Sequence, residues 1–123
     1  MASVEVKSTS SPDETRPFKD KGQAHVLNVK GQAVLYGVFE PGWRWSEHVK
    51  PIAGTELCEQ AHVGYFISGR MTVRAKDGTE VTYGPGDYAE MEPGHDAWVD
   101  ASETEPCIVI DWTGFTDYAK PAG

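Results

Sequence analysis

The feature that most constrains the fold is a series of short β-type runs, closely spaced and separated by glycine and proline turn signals. The runs are AHVLNV, AVLYGVFE, WRWSEHV, HVGYFISG, RMTVRAK, EVTYG, YAEME, AWVDA and CIVIDWTG. They are rich in β-branched and aromatic residues, which favour the pleated, half-buried surface of a sheet. No amphipathic helical period of useful length separates them, so crossover helices are not expected. The pattern predicts an all-β, single-domain antiparallel β-barrel or sandwich.

The clearest local unit in the chain is the segment RMTVRAKDGTEVTYG. Two alternating runs flank the dipeptide Asp77-Gly78, and an Asp-Gly pair supplies the positive φ angles of a tight hairpin turn. The segment therefore predicts a β-hairpin that turns at Gly78.

The two ends of the chain differ in character from its centre. The chain has 123 residues, the size of one ordinary domain. Residues 1–17 are rich in Ser, Thr, Glu and Pro and show no apolar period, which predicts a flexible N-terminal arm before a barrel domain at residues 18–123. At the other end, the segment GFTDYAK, residues 114–120, predicts one helical turn.

The formal charge of −8 excludes several classes of partner. Binding to nucleic acid needs a basic face, and an anionic membrane surface repels an acidic protein. No stretch approaches the length of a transmembrane helix, and the N-terminus lacks the pattern of a secretory signal, so we expect a cytoplasmic protein. In that reducing compartment Cys58 and Cys107 are expected to be free thiols, with Cys107 buried in an apolar strand.

Two segments, PGWRWSEHVK followed by HVGYFISG, resemble the first signature motif of the cupin superfamily. That motif has a glycine, five residues, His-x-His, a later glutamate, six residues and a glycine. Gly42 and His48 take the first positions, and Lys50 stands at the second histidine. His62 stands at the glutamate position before Gly69, and the gap between the two halves is longer than usual.

The segment YGPGDYAEMEPGH resembles the second cupin motif. Gly86-Asp87 and Pro93-Gly94 fit it, while the histidine position of the motif falls on Ala97. His95 lies two residues earlier, on the same side of an extended strand as Ala97. The resemblance covers roughly residues 35 to 112. It implies a small cupin β-barrel, or jelly roll, that often holds one divalent metal and often forms a homodimer.

Three histidines at or near these motif positions, His48, His62 and His95, are the predicted metal ligands. Imidazole suits zinc, iron, manganese and nickel, so the sequence leaves the identity of the divalent metal open. The insertion between the first two histidines offers Glu56 and Cys58 as candidates for an additional ligand, and a thiolate would favour zinc. The alternative is that each histidine is a hydrogen-bonded core or rim residue.

Four further residues are candidates for contacting a small-molecule substrate: Lys50, Arg44, Trp45 and Trp98. A lysine or arginine could hold a carboxylate, and tryptophans could line an apolar pocket. The alternatives are that Lys50 lies in solvent where the chain turns before Pro51, and that Arg44 forms an exposed ion pair. The tryptophans would then belong to the core or a dimer interface.

Two classes of function fit these observations. The first is a metal-dependent enzyme acting on a small oxygen-bearing organic substrate, with oxygenase, isomerase and lyase chemistry left open because all occur in cupins. The second is a non-catalytic cupin that binds or senses a small molecule, since Lys50 and Ala97 stand where cupins place metal ligands.

Overall fold

The computed structural model describes residues 3–113 and 118–120 of the chain. These residues form short strands and two short helices, and no helix among them is long and apolar enough to cross a bilayer. The elements in chain order are β1 (Glu14–Pro17), β2 (Gly22–Val29), β3 (Gln32–Phe39), α1 (Trp45–His48), α2 (Lys50–Ala53), β4 (His62–Ser68), β5 (Met71–Ala75), β6 (Glu80–Tyr83), β7 (Tyr88–Met91), β8 (His95–Trp98) and β9 (Cys107–Thr113).

The strands form two antiparallel sheets, which confirms the all-β jelly-roll prediction. The large sheet has the order β1-β2-β3-β9-β4-β7, and the small sheet has the order β6-β5-β8. Strands distant in sequence are neighbours in both sheets, for example β4 beside β9. This arrangement brings residues from the middle and the end of the chain into one core.

The hydrophobic core lies between the two sheets. The large sheet contributes Leu35, Phe66 and Val109, and the small sheet contributes Val73 and Ala97. Because side chains alternate along a strand, the opposite residues of the large sheet face away from this core. Cys107 is fully buried and free, as predicted, and Cys58 is also a free, buried thiol.

The predicted hairpin is confirmed. Strands β5 and β6 pair from Met71↔Tyr83 to Arg74↔Glu80, and Gly78 has a φ of 90°. A Cβ atom at Gly78 would meet no other atom within 4 Å. The turn therefore requires glycine for its backbone conformation and not for space.

The segment WRWSEHV, residues 43–49, was predicted as a strand but instead contains α1 and ends at Val49, the residue before α2. The amide of Val49 bonds the carbonyl of Trp45 at 2.9 Å, and the His48 ring accepts the Arg44 amide hydrogen through Nδ1 at 3.0 Å. The imidazole thus satisfies a helix N-terminal amide that has no partner within the helix. Pro51 lies in the first turn of α2, where proline is well tolerated. The tryptophans and valine of this segment favour a strand, but these local bonds select a helix.

The N-terminal arm is shorter than the predicted 1–17, because residues Glu14–Pro17 form β1 and pair with β2. Arg16 is buried and bonds the carboxylate of Glu14 at 2.9 Å and the carbonyl of Tyr118 at 3.0 Å. The sequence around Arg16 has no apolar period, so this docking was not visible in it. At the other end, residues 114–117 of the predicted helical turn lie outside the described residues.

Candidate metal centre

His62 enters the core because β4 presents a buried face made of His62, Gly64 and Phe66. Hydrophobicity does not show which face of β4 points inward, because both faces carry bulky apolar side chains. The match of His62 to the glutamate position of the cupin motif predicted that the His62 face is buried, and it is. A Cβ atom at Gly64 would lie 2.6 Å from the carbonyl oxygen of Ile110 and would collide with the Asp111 carboxylate. The glycine therefore leaves the space in which Asp111 lies beside β4, next to His62.

Cys58 lies near His62 because it forms an isolated antiparallel β-bridge with His95, the first residue of β8. The amide of Cys58 bonds the carbonyl of His95 at 2.8 Å, and the amide of Gly94 bonds the carbonyl of Cys58 at 2.7 Å. These bonds fix a cysteine that belongs to no strand. Its position depends on a contact across 37 residues of sequence, which no local pattern predicts.

The ring orientation of His95 follows from a backbone contact. Its Nδ1 lies 2.8 Å from the carbonyl oxygen of Glu92. A carbonyl only accepts, so Nδ1 carries the proton and donates it, and Nε2 of the neutral ring keeps a free lone pair. This is how metal-binding histidines are commonly held in one tautomer.

Cys58, His62 and His95 form a compact cluster of buried donors. One candidate ligand atom from each residue lies within 4.8 Å of the other two. The Cys58 Sγ atom lies 3.6 Å from His62 Nε2, and the two imidazole ring centroids are 5.4 Å apart. The sequence named all three residues, but with Cys58 only as a candidate for an additional ligand.

Burial controls the protonation of this cluster. Desolvation, followed by the neighbouring His95, lowers the pKa of His62 to about 3, and desolvation also lowers the pKa of His95. Both imidazoles are therefore neutral near pH 7, which is the form that binds a metal. Desolvation raises the pKa of the Cys58 thiol to about 11, so this thiol must lose its proton when a metal binds.

Asp111 on β9 completes the surroundings of His62. Its Oδ2 atom lies 3.7 Å from His62 Nδ1, too far for a hydrogen bond, and among the described residues this buried Nδ1 has no partner. Burial raises the pKa of Asp111 to about 7. Asp111 was not among the residues predicted for the site, although an aspartate at an inward position of the apolar run CIVIDW was a signal for it.

A cavity of about 40 Å³ lies beside the cluster in the core. His62, His95 and Asp111 line it, together with nine largely apolar side chains: Phe39, Trp43, Trp45, Phe66, Met71, Met91, Ala97, Val109 and Tyr118. Within the described part of the chain, the indole nitrogens of Trp43 and Trp45 have no hydrogen-bond acceptor. Two buried donors therefore remain unsatisfied in residues that line this cavity.

His48 does not join the other two predicted histidines. It ends α1, where its Nδ1 accepts the amide hydrogen of Arg44, and it borders a separate surface depression with Lys19, Asp20 and Glu47. The helix in place of a strand is the physical reason, because it turns the His48 ring back onto its own backbone.

The remaining candidates are divided between the surface and the cavity. Lys50 Nζ lies 2.9 Å from Glu56 Oε2, and the Glu56 side chain is 91% exposed, so these two residues pair with each other away from the cluster. Arg44 stacks on the Trp98 ring at 4.4 Å and lies 3.5 Å from the Asp96 carboxylate. Trp45 lines the cavity.

The donor set fits a divalent metal. Two neutral imidazoles and one thiol lie at mutually compatible distances, the tautomer of His95 is fixed, and the orphaned Nδ1 of His62 faces a carboxylate. A metal at His62 Nε2 would place the proton on Nδ1, facing Asp111, which is the carboxylate–histidine–metal arrangement common in zinc proteins.

Comparison with known proteins gives a consistent family assignment. The family model of EutQ-like cupin domains matches residues 48–106. An RmlC-like cupin from Shewanella frigidimarina NCIMB 400 superposes with a TM-score of 0.59 at 16% identity, over 94% of this chain and 96% of that one. A search of curated proteins by sequence finds no significant match.

Two further solved structures share the fold. A protein of unknown function from Rhizobium leguminosarum bv. viciae 3841 has 21% identity and a TM-score of 0.53 over 84% of both chains. A variant of oxalate decarboxylase from Bacillus subtilis has 18% identity and a TM-score of 0.56, over 93% of this chain and 31% of that chain. At these identities the likeness concerns the fold alone.

Proposed function

We propose that this chain, whose residues 48–106 match the family model of EutQ-like cupin domains, binds one divalent metal ion through Cys58, His62 and His95 and acts there on a small oxygen-bearing molecule. The observation that carries the proposal is the cluster itself, with three buried donor atoms within 4.8 Å of one another. A lone buried histidine is usually structural, but three converging donors at the edge of a cavity are a typical metal-site arrangement.

The donor set favours zinc among the metals that the sequence left open. Thiolate is a soft ligand that suits zinc, whereas manganese prefers oxygen donors. Three protein ligands leave a fourth position of a tetrahedral shell free, as in catalytic zinc sites. A zinc ion held there would act as a Lewis acid towards an oxygen atom of the bound molecule.

The cavity limits the size and chemistry of that molecule. Its volume of about 40 Å³ is well below the roughly 150 Å³ cavity that holds benzene in an engineered protein core. A ligand of only a few non-hydrogen atoms therefore fits without rearrangement. The unsatisfied indole N–H groups of Trp43 and Trp45 call for a hydrogen-bond acceptor, which a carboxylate, carbonyl or hydroxyl oxygen supplies.

Asp111 and Tyr118 would support this chemistry. The Asp111 carboxylate lies 3.7 Å from His62 Nδ1, on the side where it would favour the ring orientation that presents Nε2 to a metal, and it also lines the cavity. The Tyr118 ring packs edge-on against His62 at 5.4 Å and excludes water from that side. These two are the acid–base groups among the described lining residues that remain once His62 and His95 bind the metal.

The alternative is a non-catalytic cupin that binds or senses a small molecule. The observation that favours it is the mainly apolar lining of the cavity, which offers few groups for proton transfer. The two functions differ in one measurable respect, because a binder releases its ligand unchanged. Chemical analysis of a small oxygen-bearing ligand after incubation with the metal-loaded protein separates them.

The test of the metal site is elemental analysis of protein purified without a metal-binding tag or chelator. We expect about one equivalent of metal per chain, lost in His62→Ala and His95→Ala. His48→Ala is the matched control and should keep its metal, because His48 lies outside the cluster. A metal-free wild type that takes up no zinc on dialysis would contradict the proposal.

A further inference from the structure

A groove of about 560 Å³ opens beside the core, between the β5–β6 hairpin and the turn that joins β7 to β8. We call it the hairpin groove. Its wall on the small sheet includes Val73, Ala75, Val81 and Tyr83. Small-molecule pockets occupy roughly 300 to 1,000 Å³. The hairpin groove is therefore large enough for an organic ligand, whereas the core cavity holds only a few atoms.

The wall of the groove is part of the inner face of the small sheet. Met71 pairs with Tyr83 and Val73 pairs with Val81, and both Met71 and Val73 are buried in the core. Directly paired residues share one face of a sheet, so Val81 and Tyr83 also point inward. Val81 is nevertheless 44% exposed. The inner face of the small sheet thus stays uncovered near the hairpin, and its apolar side chains line the groove.

The hairpin groove and the core cavity share a wall. Among the described residues, Met91 and His95 are the two that line both spaces. His95 is fixed by its pairing with Ala75 and by its bond to the carbonyl of Glu92. Met91 is half-buried at the end of β7, and a methionine side chain has three rotatable bonds. Met91 is therefore the movable part of the shared wall.

Met91 lies directly beside the candidate metal ligand His62. The two residues are partners in the pairing of β7 with β4. Side chains of directly paired residues point to the same face, with Cβ atoms about 4.5 to 5.5 Å apart. A rotation of the Met91 side chain therefore widens or narrows the passage from the groove to the cavity next to the His62 imidazole.

We propose that the hairpin groove binds the tail of an elongated ligand whose oxygen-bearing head enters the core cavity past Met91. This inference rests on the proposed function of the metal centre and describes the shape of its ligand. The head answers the unsatisfied indole N–H groups of Trp43 and Trp45, which are 1% and 2% exposed and require an acceptor. The tail answers the uncovered apolar wall of the groove. Met91 is then the residue that selects ligands by the width of the head.

The charged residues of the groove select against an anionic tail. Four charged side chains line the groove: Lys76, Asp77, Glu90 and Glu92. One positive and three negative side chains give the groove a net negative charge, on a chain whose formal charge is −8. A cleft of one sign repels ions of that sign and concentrates ions of the other. The tail is therefore apolar, and neutral or cationic.

Labelling of the Cys58 thiol tests the route in the full-length chain after removal of metal. Cys58 is the reporter because its Sγ atom lies 3.6 Å from Nε2 of the cavity-lining His62. The probe is methyl methanethiosulfonate, a small neutral reagent that converts a thiolate to a methyl disulfide and releases methanesulfinate. We expect Met91→Ala to raise the labelling rate of Cys58 about 10-fold, because access then no longer waits for a local opening. Cys107 is the internal reference, since it is fully buried and is not among the residues that line either space.

Met71→Ala is the matched control. Met71 is buried and lines the core cavity but not the groove, so the same substitution there should enlarge the cavity without opening the route. The rate of Cys58 relative to Cys107 should then stay near that of wild type. Met91→Val, which is also shorter than methionine, replaces Met91→Ala if circular dichroism shows that Met91→Ala is unfolded. Equal Cys58 rates in the Met91 and Met71 variants, or a Cys58 rate that follows the Cys107 rate in every variant, would overturn the inference.

Two charged thiosulfonates test the chemistry of the tail in the Met91→Ala background. The 2-(trimethylammonio)ethyl and 2-sulfonatoethyl methanethiosulfonates share a stem and carry opposite charges. Once each rate is divided by the rate with free cysteine, the cationic reagent should label Cys58 about 10-fold faster than the anionic one. Glu90→Gln should reduce this preference. Glu80→Gln should not, because Glu80 alternates with Val81 on β6 and points outward. Equal or faster labelling by the anionic reagent would contradict the proposed tail.

Zinc uptake by the same proteins distinguishes a failure of this inference from a failure of the proposed function. A chain that takes up no zinc but labels faster at Cys58 in Met91→Ala than in Met71→Ala would support the route through the groove, although the metal site had failed. A chain that binds zinc but labels at the same rate in both variants would overturn the route and leave the metal site in place.

Discussion

The Oδ2 atom of Asp111 lies 3.7 Å from Nδ1 of His62, across the pairing of strands β9 and β4. The contact exists because Gly64, the partner of Asp111 in the register, has no side chain to occupy that space. The carboxylate and the imidazole thus form a buried pair in which Nε2 of His62 points to the side of Cys58. The pair links the fold of the large sheet to the chemistry of the candidate metal centre.

The first prediction concerns this pair. Asp111→Asn preserves the volume but removes the carboxylate charge that faces Nδ1 of His62, the atom that would carry the proton if Nε2 bound a metal. We expect zinc affinity, measured by competition with a chromophoric chelator, to fall about 10- to 100-fold. Glu92→Gln is the matched control, because His95 bonds the backbone carbonyl of Glu92 and not its side chain. Equal affinities for wild type and Asp111→Asn would show that Asp111 does not orient the ligand.

The second prediction concerns protons released by metal binding. Between pH 8 and 9 His62 and His95 are neutral, since burial lowers the pKa of both, and Asp111, with a pKa of about 7, is mostly ionised. The Cys58 thiol, with a pKa of about 11, is still protonated and must release one proton to bind as a thiolate. Zinc affinity should therefore rise about tenfold per pH unit in this window. Cys58→Ser should bind more weakly and lose most of this slope, and a pH-independent wild type would exclude Cys58 as a ligand.

The third prediction compares two glycines with similar backbone angles. Gly78 has a φ of 90° and open space around it, whereas Gly69 has a φ of 69° and a Cβ there would lie 2.6 Å from the Cα of Cys107. Gly78→Ala should cost about 1–2 kcal/mol of unfolding free energy, from backbone strain alone. Gly69→Ala should cost more than about 3 kcal/mol, because β9 must also move. Urea denaturation measures both, and equal midpoints would refute the packing of Gly69 on β9.

The fourth prediction separates the arm from β1. Removing residues 2–10 should change the melting temperature little, because residues 3–10, the described part of this segment, are exposed apart from a few polar contacts. Removing residues 2–17 should lower it strongly, since this deletion removes the pairing with β2 and the buried Arg16. If both truncated proteins have melting temperatures near that of wild type, β1 does not stabilise the sheet.

The sequence predicted those parts of the fold that local chemistry determines. The dipeptide Asp77-Gly78 predicted the β5–β6 hairpin. The alternating residues His62, Gly64 and Phe66 predicted a strand, and the cupin motif predicted which face of that strand points inward. The helix α1 was not predicted, because Trp43, Trp45 and Val49 favour a strand by propensity. The bonds that select a helix, above all from the Arg44 amide to the His48 ring, are visible only in three dimensions.

The candidate metal centre likewise combines residues that sequence motifs predict with residues that only long-range contacts bring into place. His62 and His95 were predicted from their positions in the motifs. The place of Cys58 depends on its backbone bridge to His95, and that of Asp111 depends on the pairing of β9 with β4, both long-range contacts. His48 has the best motif match of the three predicted ligands, yet the structure places it elsewhere. A motif position predicts a ligand only when the local backbone keeps the conformation that the motif assumes.

The measurement that tests the central claim most directly is the absorption spectrum of the cobalt(II)-substituted protein. If Cys58, His62 and His95 bind the metal, wild type and His48→Ala should both show a sulfur-to-cobalt charge-transfer band and the intense visible bands of a tetrahedral site. Cys58→Ser should lose the charge-transfer band, and His62→Ala should lose the tetrahedral spectrum. A wild-type spectrum like that of hydrated cobalt(II), or a charge-transfer band that His48→Ala abolishes and Cys58→Ser retains, would contradict the account.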